Sequence, residues 1–291
     1  MKELVVISGK GGTGKTSVVA SFAALAKNKV MADCDVDAAD LHLVLNPTVL
    51  EKHEFKSGKT AFIDLGLCIE CGQCLEVCRF EAISEDYIVS KLSCEGCGAC
   101  VHFCPVNAIE FNENLAGHWF ISDSRYGPLV HAQLGMAEEN SGLLVTLVRN
   151  RAKNLAEENN NSLLIADGSP GIGCPVIASI TGADLVLVVT EPTLSGLHDL
   201  QRIIDLTRHF NIATVACINK TDINPEMAGN IEEVCNQLKI QVVGKMPYDS
   251  DVTKAQVAGV SVVEYSDGAI SQEIKKMWHS LRPFLEINGL N

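Results

Sequence analysis

The run Glu3-Leu4-Val5-Val6-Ile7-Ser8-Gly9-Lys10-Gly11-Gly12-Thr13-Gly14-Lys15-Thr16 decides the fold. Its first six residues are a short apolar strand, and the glycines lead into a helical pattern at 15–27. Strand, glycine-rich loop and helix in that order are the context a phosphate-binding loop requires. Glycines let successive backbone N–H groups turn toward phosphate oxygens, and the helix N-terminus adds partial positive charge. On this reading Gly9 through Ser17 cradle a nucleoside triphosphate. Lys15 reaches its β- and γ-phosphates, and the Thr16 hydroxyl ligates Mg2+. A glycine-rich turn with an incidental lysine is the bland alternative, and the complete motif in this context weighs against it.

Working outward, residues 29–33 (KVMAD) read as a second short strand, followed by Asp33-Cys34-Asp35. Further apolar runs at 163–167, 185–190, 213–218 and 240–243 read as buried strands, with helical patterns at 196–210 and 226–238 between them. Strands alternating with helices predict an α/β fold whose mostly parallel sheet is flanked by helices. The strand LLIAD ends in Asp167, the pattern of an acid that holds Mg2+. Asn219-Lys220-Thr221-Asp222 follows another strand and reads as a base-recognition loop. Taken alone it suggests guanine, because an aspartate accepts from that base's N1 and N2 groups. Asp37 and Asp40 read as a solvated acidic turn.

Between about 63 and 113 the rhythm changes. Cys68, Cys71, Gly72, Cys74, Cys78, Ala82 and Ile83 superpose on Cys94, Cys97, Gly98, Cys100, Cys104, Ala108 and Ile109, so this stretch is a duplicated half. The spacing Cys-x2-Cys-x2-Cys-x3-Cys, with Pro105 after the last cysteine, is that of a bacterial two-cluster ferredoxin. In that pattern the fourth cysteine of each run ligates the other cluster. Cys68, Cys71, Cys74 and Cys104 are therefore assigned to one 4Fe-4S cluster, and Cys94, Cys97, Cys100 and Cys78 to the other. Structural zinc is the alternative, but zinc takes four ligands, usually as two separated pairs. Arg79 stands where the second repeat has Pro105, which would place a cation near one cluster. The module is expected to interrupt its host, giving a discontinuous ATPase domain at 1–62 and 114–291 around an insert at 63–113.

Composition narrows the partners. The 291 residues carry a formal net charge of −13, and 47% are hydrophobic. A general nucleic-acid surface needs a dominant basic patch, so this balance argues for a basic or metal-bearing protein partner instead. The opening residues lack the layout of a signal peptide. Twelve cysteines without an export signal read as metal ligands in a reducing compartment, so the expected address is the cytoplasm. Ile274, Met277, Trp278, Leu281 and Leu285 recur at helical spacing, and Pro283 interrupts them. A helix packed on the core is expected there rather than a membrane anchor. Cys174 reads as an idle thiol, and Cys34, Cys217 and Cys235 as core residues.

The loop GKGGTGKT, with Lys10 early in it, resembles that of the MinD-like and nitrogenase-iron-protein class of ATPases. The whole chain resembles MinD-superfamily P-loop ATPases containing an inserted ferredoxin domain; Glu191-Pro192-Thr193 and Ser195-Gly196-Leu197-His198-Asp199 add to the likeness. The resemblance implies an ATP-sandwich homodimer in which Lys10 reaches the partner's nucleotide. It implies that Asp35 positions the attacking water, with Asp33 assisting near the metal, and that Gly171 offers its N–H to the γ-phosphate. Ser169 stands where the family commonly has a proline. The resemblance favours adenine, with Asn219 on the base edge and Pro247-Tyr248 closing over it. The function implied is a slow, partner-stimulated ATPase that couples a nucleotide switch to two 4Fe-4S clusters, for electron transfer or metallocentre assembly. A cluster carrier and a spatial-positioning ATPase are the other readings.

Overall fold

The structure is a computed structural model describing residues 1–135 and 141–286. The chain forms two compact units. The first comprises Met1–Lys52, Trp119–Gln133 and the chain from Ser141 on.

Its opening is the expected strand, loop and helix: β1 (Lys2–Ser8), then α1 (Lys15–Leu25), then β2 (Lys29–Asp33) and a short α2 (Leu41–Leu45). The chain leaves along β3 (Thr48–Ile63) and returns along β4 (Ile109–Ser124) and β5 (Gly127–Leu134). Beyond lie α5 (Ser141–Glu158), β6 (Leu163–Pro170), α6 (Cys174–Ile180), β7 (Leu185–Thr190), α7 (Leu194–His209) and β8 (Ala213–Ile218). The end is α8 (Pro225–Gln237), β9 (Gln241–Lys245), α9 (Ser250–Val257), α10 (Val262–Tyr265) and α11 (Ala269–Leu281). The helices α3 (Gln73–Val77) and α4 (Ala99–Phe103) belong to the second unit.

The strands stand in the order β3-β4-β5-β2-β6-β1-β7-β8-β9. The pairings of β5 with β2, β2 with β6, β6 with β1, β1 with β7, β7 with β8 and β8 with β9 are all parallel. A parallel sheet is covered on both faces, which is why β1, β2, β6 and β7 read as unbroken apolar runs. The register sets Asp33 level with Asp167 on neighbouring strands. That places both acids at the carboxyl ends of the strands, where open α/β sheets bind ligands.

The core joins β1, β6 and β7 to α1 and α11, with the rings of Phe22 and Trp278 5.1 Å apart. Ile274, Met277, Trp278, Leu281 and Leu285 are all buried in it. Arg149 on α5 ties the sheet to α6: its guanidinium pairs with Glu3 at 2.6 Å and donates to the carbonyls of Ala178 and Thr181.

The second unit comprises His53–His118 with the described residues from Leu134, wider than the cysteine-dense stretch 63–113. Composition does not change where β3 enters it, so cysteine density marks only its centre. α3 and α4 each follow a glycine with positive φ, Gly72 at 75° and Gly98 at 73°. A bridge between Ile83 and Val89 closes the loop between the two helices. The core of this unit is small, centred on Ala61, Ile63, Cys74 and Ile109.

Candidate functional site

The phosphate loop runs from β1 into α1 along the floor of a solvent-open cavity of about 1520 Å³. Gly14 has φ 93°, and a Cβ there would lie 2.4 Å from Asn219 Nδ2. Any side chain at this position would push out the strand β8 loop that closes the cavity. Gly9 answers to a similar close approach, since its Cβ would fall 2.2 Å from that of Asp199 on α7. Gly11 through Ser17 line the cavity, together with Asp35, Asn219, Lys220, Pro247 and Tyr248.

At the centre Lys15 Nζ donates to Asp167 Oδ1 at 2.6 Å and to Asp35 Oδ2 at 3.2 Å. Burial pulls the ammonium's pKa down, but Asp167 and then Asp35 outweigh it and hold Lys15 above its ordinary value. Asp33 is completely buried and accepts the backbone N–H groups of Asp35 and Leu41, each at 3.2 Å. Burial, reinforced by the charge of Asp167, raises its carboxyl well above the usual range. Burial also raises Asp35, with Lys15 opposing. The structure therefore gathers Asp33, Asp35 and Asp167 around one lysine, leaving an excess of acid.

Two buried oxygens here have no hydrogen-bond partner, Asp167 Oδ2 and Thr13 Oγ1. An unmade bond at a buried polar atom is costly, so these two atoms mark where a bound group fits. A divalent cation would satisfy Asp167 and the acidic excess. Thr16 and Asp35 both line the cavity, and Thr16 is the hydroxyl available to share such a cation.

The flanking loops are engaged with the chain itself. Ser169 Oγ donates to Cys34 O at 2.7 Å, linking the segment after β6 to the segment after β2. The Gly171 N–H, expected to face phosphate, donates to Ser8 O at 2.8 Å. Lys10, expected to reach outward, pairs within its own chain with Glu191 at 2.5 Å and donates to Ser195 Oγ at 3.3 Å. Lys220 Nζ also pairs with Glu191, at 3.2 Å, and donates to Gly12 O at 2.9 Å. Partial burial works against the Glu191 carboxylate, yet these two lysines hold its pKa below the ordinary value.

At the base end, Asn219 Nδ2 donates to Thr13 O at 2.8 Å and its Oδ1 accepts the Lys220 N–H at 2.9 Å. Asn219 thus braces the phosphate loop as well as lining the cavity. Asp222 is not part of the lining; its Oδ1 accepts the Tyr248 N–H at 2.6 Å. Sequence reasoning missed Val252, Thr253 and Gln256 of α9, which complete this wall. Gln256 donates to Ser17 Oγ at 3.0 Å. The capped helix start at Asp249, directly after Pro247-Tyr248, was the available signal.

The eight clustered cysteines fall into two sets. Cys68, Cys71, Cys74 and Cys104 line one cavity of about 300 Å³. Cys78, Cys94, Cys97 and Cys100 line another of about 360 Å³. Each cavity thus takes three cysteines from one repeat and one from the other. The N–H groups of Ala82 and Ala108, equivalent in the two repeats, donate to Cys78 Sγ at 3.4 Å and Cys104 Sγ at 3.2 Å. Among the described residues no three His, Cys, Asp or Glu side chains converge as the ligands of a single ion would. Arg79 is exposed and absent from both linings, where Phe80 takes a place instead. Cys34, Cys217 and Cys235 are buried away from these cavities, and burial raises their thiols, Cys217 to about 12 and Cys235 to about 11. Cys174 is exposed at the start of α6.

Among known proteins, the family described as the CobQ/CobB/MinD/ParA nucleotide binding domain matches residues 4–262. An uncharacterized protein of Methanocaldococcus jannaschii is 34% identical over 288 residues, covering 97% of each chain. A cytosolic Fe-S cluster assembly factor NUBP1 homolog of Brugia malayi is 24% identical over 133 residues, 39% of this chain and 43% of that protein. The crystal structure of the cell division ATPase MinD of Pyrococcus furiosus shares the fold, with a TM-score of 0.60 at 16% identity. That likeness covers 97% of this chain and 98% of MinD.

Proposed function

This chain belongs to the CobQ/CobB/MinD/ParA nucleotide-binding family, and we propose that it is a dimeric ATPase whose second unit holds two 4Fe-4S clusters. The observation that carries the reading is the sorting of eight cysteines into two cavities with one cysteine exchanged between repeats. Four thiols around a shared space, rather than converging on a point, suit a cubane better than a lone zinc ion. The partial likeness to a protein named as an Fe-S cluster assembly factor supports the same class of task. When bound, the clusters supply one-electron chemistry. The chain's residues supply the thiolates, the N–H donors to sulfur and the apolar walls.

In the nucleotide site Lys15 exchanges Asp167 and Asp35 for the β- and γ-phosphates of ATP. Asp167 and Thr16 are then free to hold Mg2+, whose charge offsets that of the transferring phosphoryl group. Asp35, released from Lys15, orients water for in-line attack, and burial has raised its proton affinity for that task. The Gly171 N–H leaves Ser8 for the γ-phosphate, and Lys10 leaves Glu191 for the nucleotide of a second copy. Lys15, Asp35, Lys10 and the Gly171 N–H each have a partner within the chain that must be given up for these contacts, which suits slow turnover until a partner assists. The segment from Asp33 to Asp40, which carries Asp35, runs through α2 directly into β3 and so into the second unit. That continuity is the route by which nucleotide state reaches the clusters. Adenine is the base this reading favours over guanine, and it is supported by the Tyr248 N–H engaging Asp222 Oδ1 and by the absence of Asp222 from the cavity lining.

The test is anaerobic EPR of the iron-reconstituted, reduced protein with and without Mg-ATP. Four-iron signals that shift on nucleotide binding are expected. Signals indifferent to ATP would remove the coupling and leave a cluster carrier or scaffold.

A second reading, a spatial-positioning ATPase, is favoured by the fold's likeness to MinD across nearly the whole chain. Among the described residues no helix is long and apolar enough to cross a membrane. ATP-dependent co-sedimentation with anionic vesicles would establish this second reading in place of the first.

A further inference from the structure

The second unit exposes apolar side chains where a solvated surface has no use for them. Phe62, Leu65, Ile88, Leu92 and Leu115 are 59%, 61%, 63%, 87% and 48% exposed. All five line a single open groove of about 2210 Å³ that lies wholly within this unit. Scattered exposed leucines need no explanation, but five exposed apolar side chains gathered along one groove, with polar and charged residues between them, mark an interaction site.

The groove's inner wall is shared with both thiol cavities. Ile63 and Tyr87 border the groove and the cavity of Cys68, Cys71, Cys74 and Cys104. Ala61, Val89 and Cys94 border the groove and the cavity of Cys78, Cys94, Cys97 and Cys100. One side-chain layer therefore separates a docked surface from either site, and at Cys94 a ligating thiol is itself in that layer. The surroundings are acidic. Residues 53–118 hold four lysines and arginines against ten aspartates and glutamates, and eight thiolates shared between two clusters would add to that charge.

We propose that this groove is the docking site of a one-electron carrier protein whose contact face is an apolar patch ringed by basic residues. The proposal rests on the iron–sulfur reading and adds where the partner binds and what it looks like. Apolar contact in the groove supplies affinity, and the negative field steers a basic partner and fixes its orientation. In each encounter one electron is lost by the reduced iron–sulfur centre behind the wall and gained by the docked carrier, with no proton or group transferred. Asp64, Glu95 and Glu113 on the groove lining are counter-charges for the partner's basic ring, and Lys59 and Lys91 limit how that ring can lie.

The test uses the anaerobically reconstituted protein and cytochrome c as probe, a basic carrier with an apolar haem edge exposed among lysines. Cluster content is first read by EPR, so that failure of the iron–sulfur reading shows before any titration and sinks the proposal with it. Calorimetric titration at low salt is then expected to show binding that Leu92→Lys weakens by about tenfold, the loss of one central contact. Ile88→Lys should act alike, and the cytochrome reduction rate should fall in step. Leu50→Lys makes the same chemical change at a 65% exposed leucine of β3 outside the groove and should leave affinity within roughly twofold. Equal affinity of the Leu92→Lys and Leu50→Lys proteins would overturn the proposal. So would sedimentation showing that Leu92→Lys dissociates a self-dimer, because the groove would then belong to a second copy.

Discussion

Replacing Lys15 with methionine should destabilise the nucleotide-free protein before it is asked to bind anything. The ammonium lies 2.6 Å from Asp167 and 3.2 Å from Asp35, and the side chains are 6%, 1% and 12% exposed respectively. Breaking a buried ion pair by removing one partner costs about 3–5 kcal/mol, because the charge left behind is uncompensated. The site opens to a solvent-filled cavity and Asp35 is only partly buried, so the low end, about 3 kcal/mol, is the expected loss. The pH dependence has a definite sign. Without Lys15 the carboxyls of Asp33 and Asp35, which burial already raises, lose the ammonium that opposes that rise, so the folded state binds more protons than the unfolded one. The deficit must therefore shrink as pH falls from neutrality toward those raised values. Adding Asp167→Asn should restore much of the loss by removing the buried charge that lay closest to the missing ammonium. Urea unfolding followed by tryptophan fluorescence, in which Trp278 reports the core packed around Phe22 alongside Trp119, measures all three proteins. A loss under about 1 kcal/mol, or a deficit that grows on acidification, would refute the reasoning.

Three further outcomes follow from buried charge elsewhere. Lys29 is 8% exposed, and burial pulls its pKa down to about 8. Lys29→Met should stabilise the protein by roughly 2 kcal/mol at pH 7, a gain that thermal melts should show fading between about pH 8 and 10.5 as the wild-type lysine loses its proton. His131, hydrogen-bonded to Ser122 and stacked on His42, is pushed to about 4 by burial and then by His42. Wild-type stability should fall as pH drops from 6.5 toward 4, by up to roughly 3 kcal/mol, and His131→Gln should flatten that slope in denaturation curves. Arg149→Met leaves the 3%-exposed side chain of Glu3 with only the half-buried Lys153 as counter-charge and should cost about 3 kcal/mol, of which the Glu3→Gln, Arg149→Met double variant regains part.

How much of this was legible depended on which physical signal each residue carried. The strands β1, β2, β6, β7 and β8 are buried on both faces, so unbroken apolar runs betrayed them. β3 carries Glu51, Lys52, His53 and Glu54 in succession, with Lys56 after Phe55, and is mostly exposed, so it offered no run to read. β4, β5 and α5 went unread for a related reason, since their burial is divided between faces rather than continuous. The phosphate loop and the cysteine repeat were plain because local spacing alone defines them. The partners that Lys10, Gly171 and Asp222 take instead of ligand were invisible. Glu191, Ser8 and Tyr248 are distant in sequence, and nothing local announces that they meet. The groove was hidden for the same reason: Phe62, Leu92 and Leu115 belong to three separate segments, and each reads singly as an ordinary exposed or core residue.

The account turns on the exchange of one cysteine between repeats, and Mössbauer and EPR spectra of anaerobically reconstituted Cys78→Ser and Cys104→Ser proteins test it most directly. Each substitution should leave one four-iron cluster intact and perturb the one held by the opposite repeat, so that Cys104→Ser affects the Cys68, Cys71 and Cys74 site. Perturbation of the cluster held by the same repeat would contradict the assignment. Stoichiometric zinc with no acid-labile sulfide in the wild type would contradict the iron–sulfur reading itself.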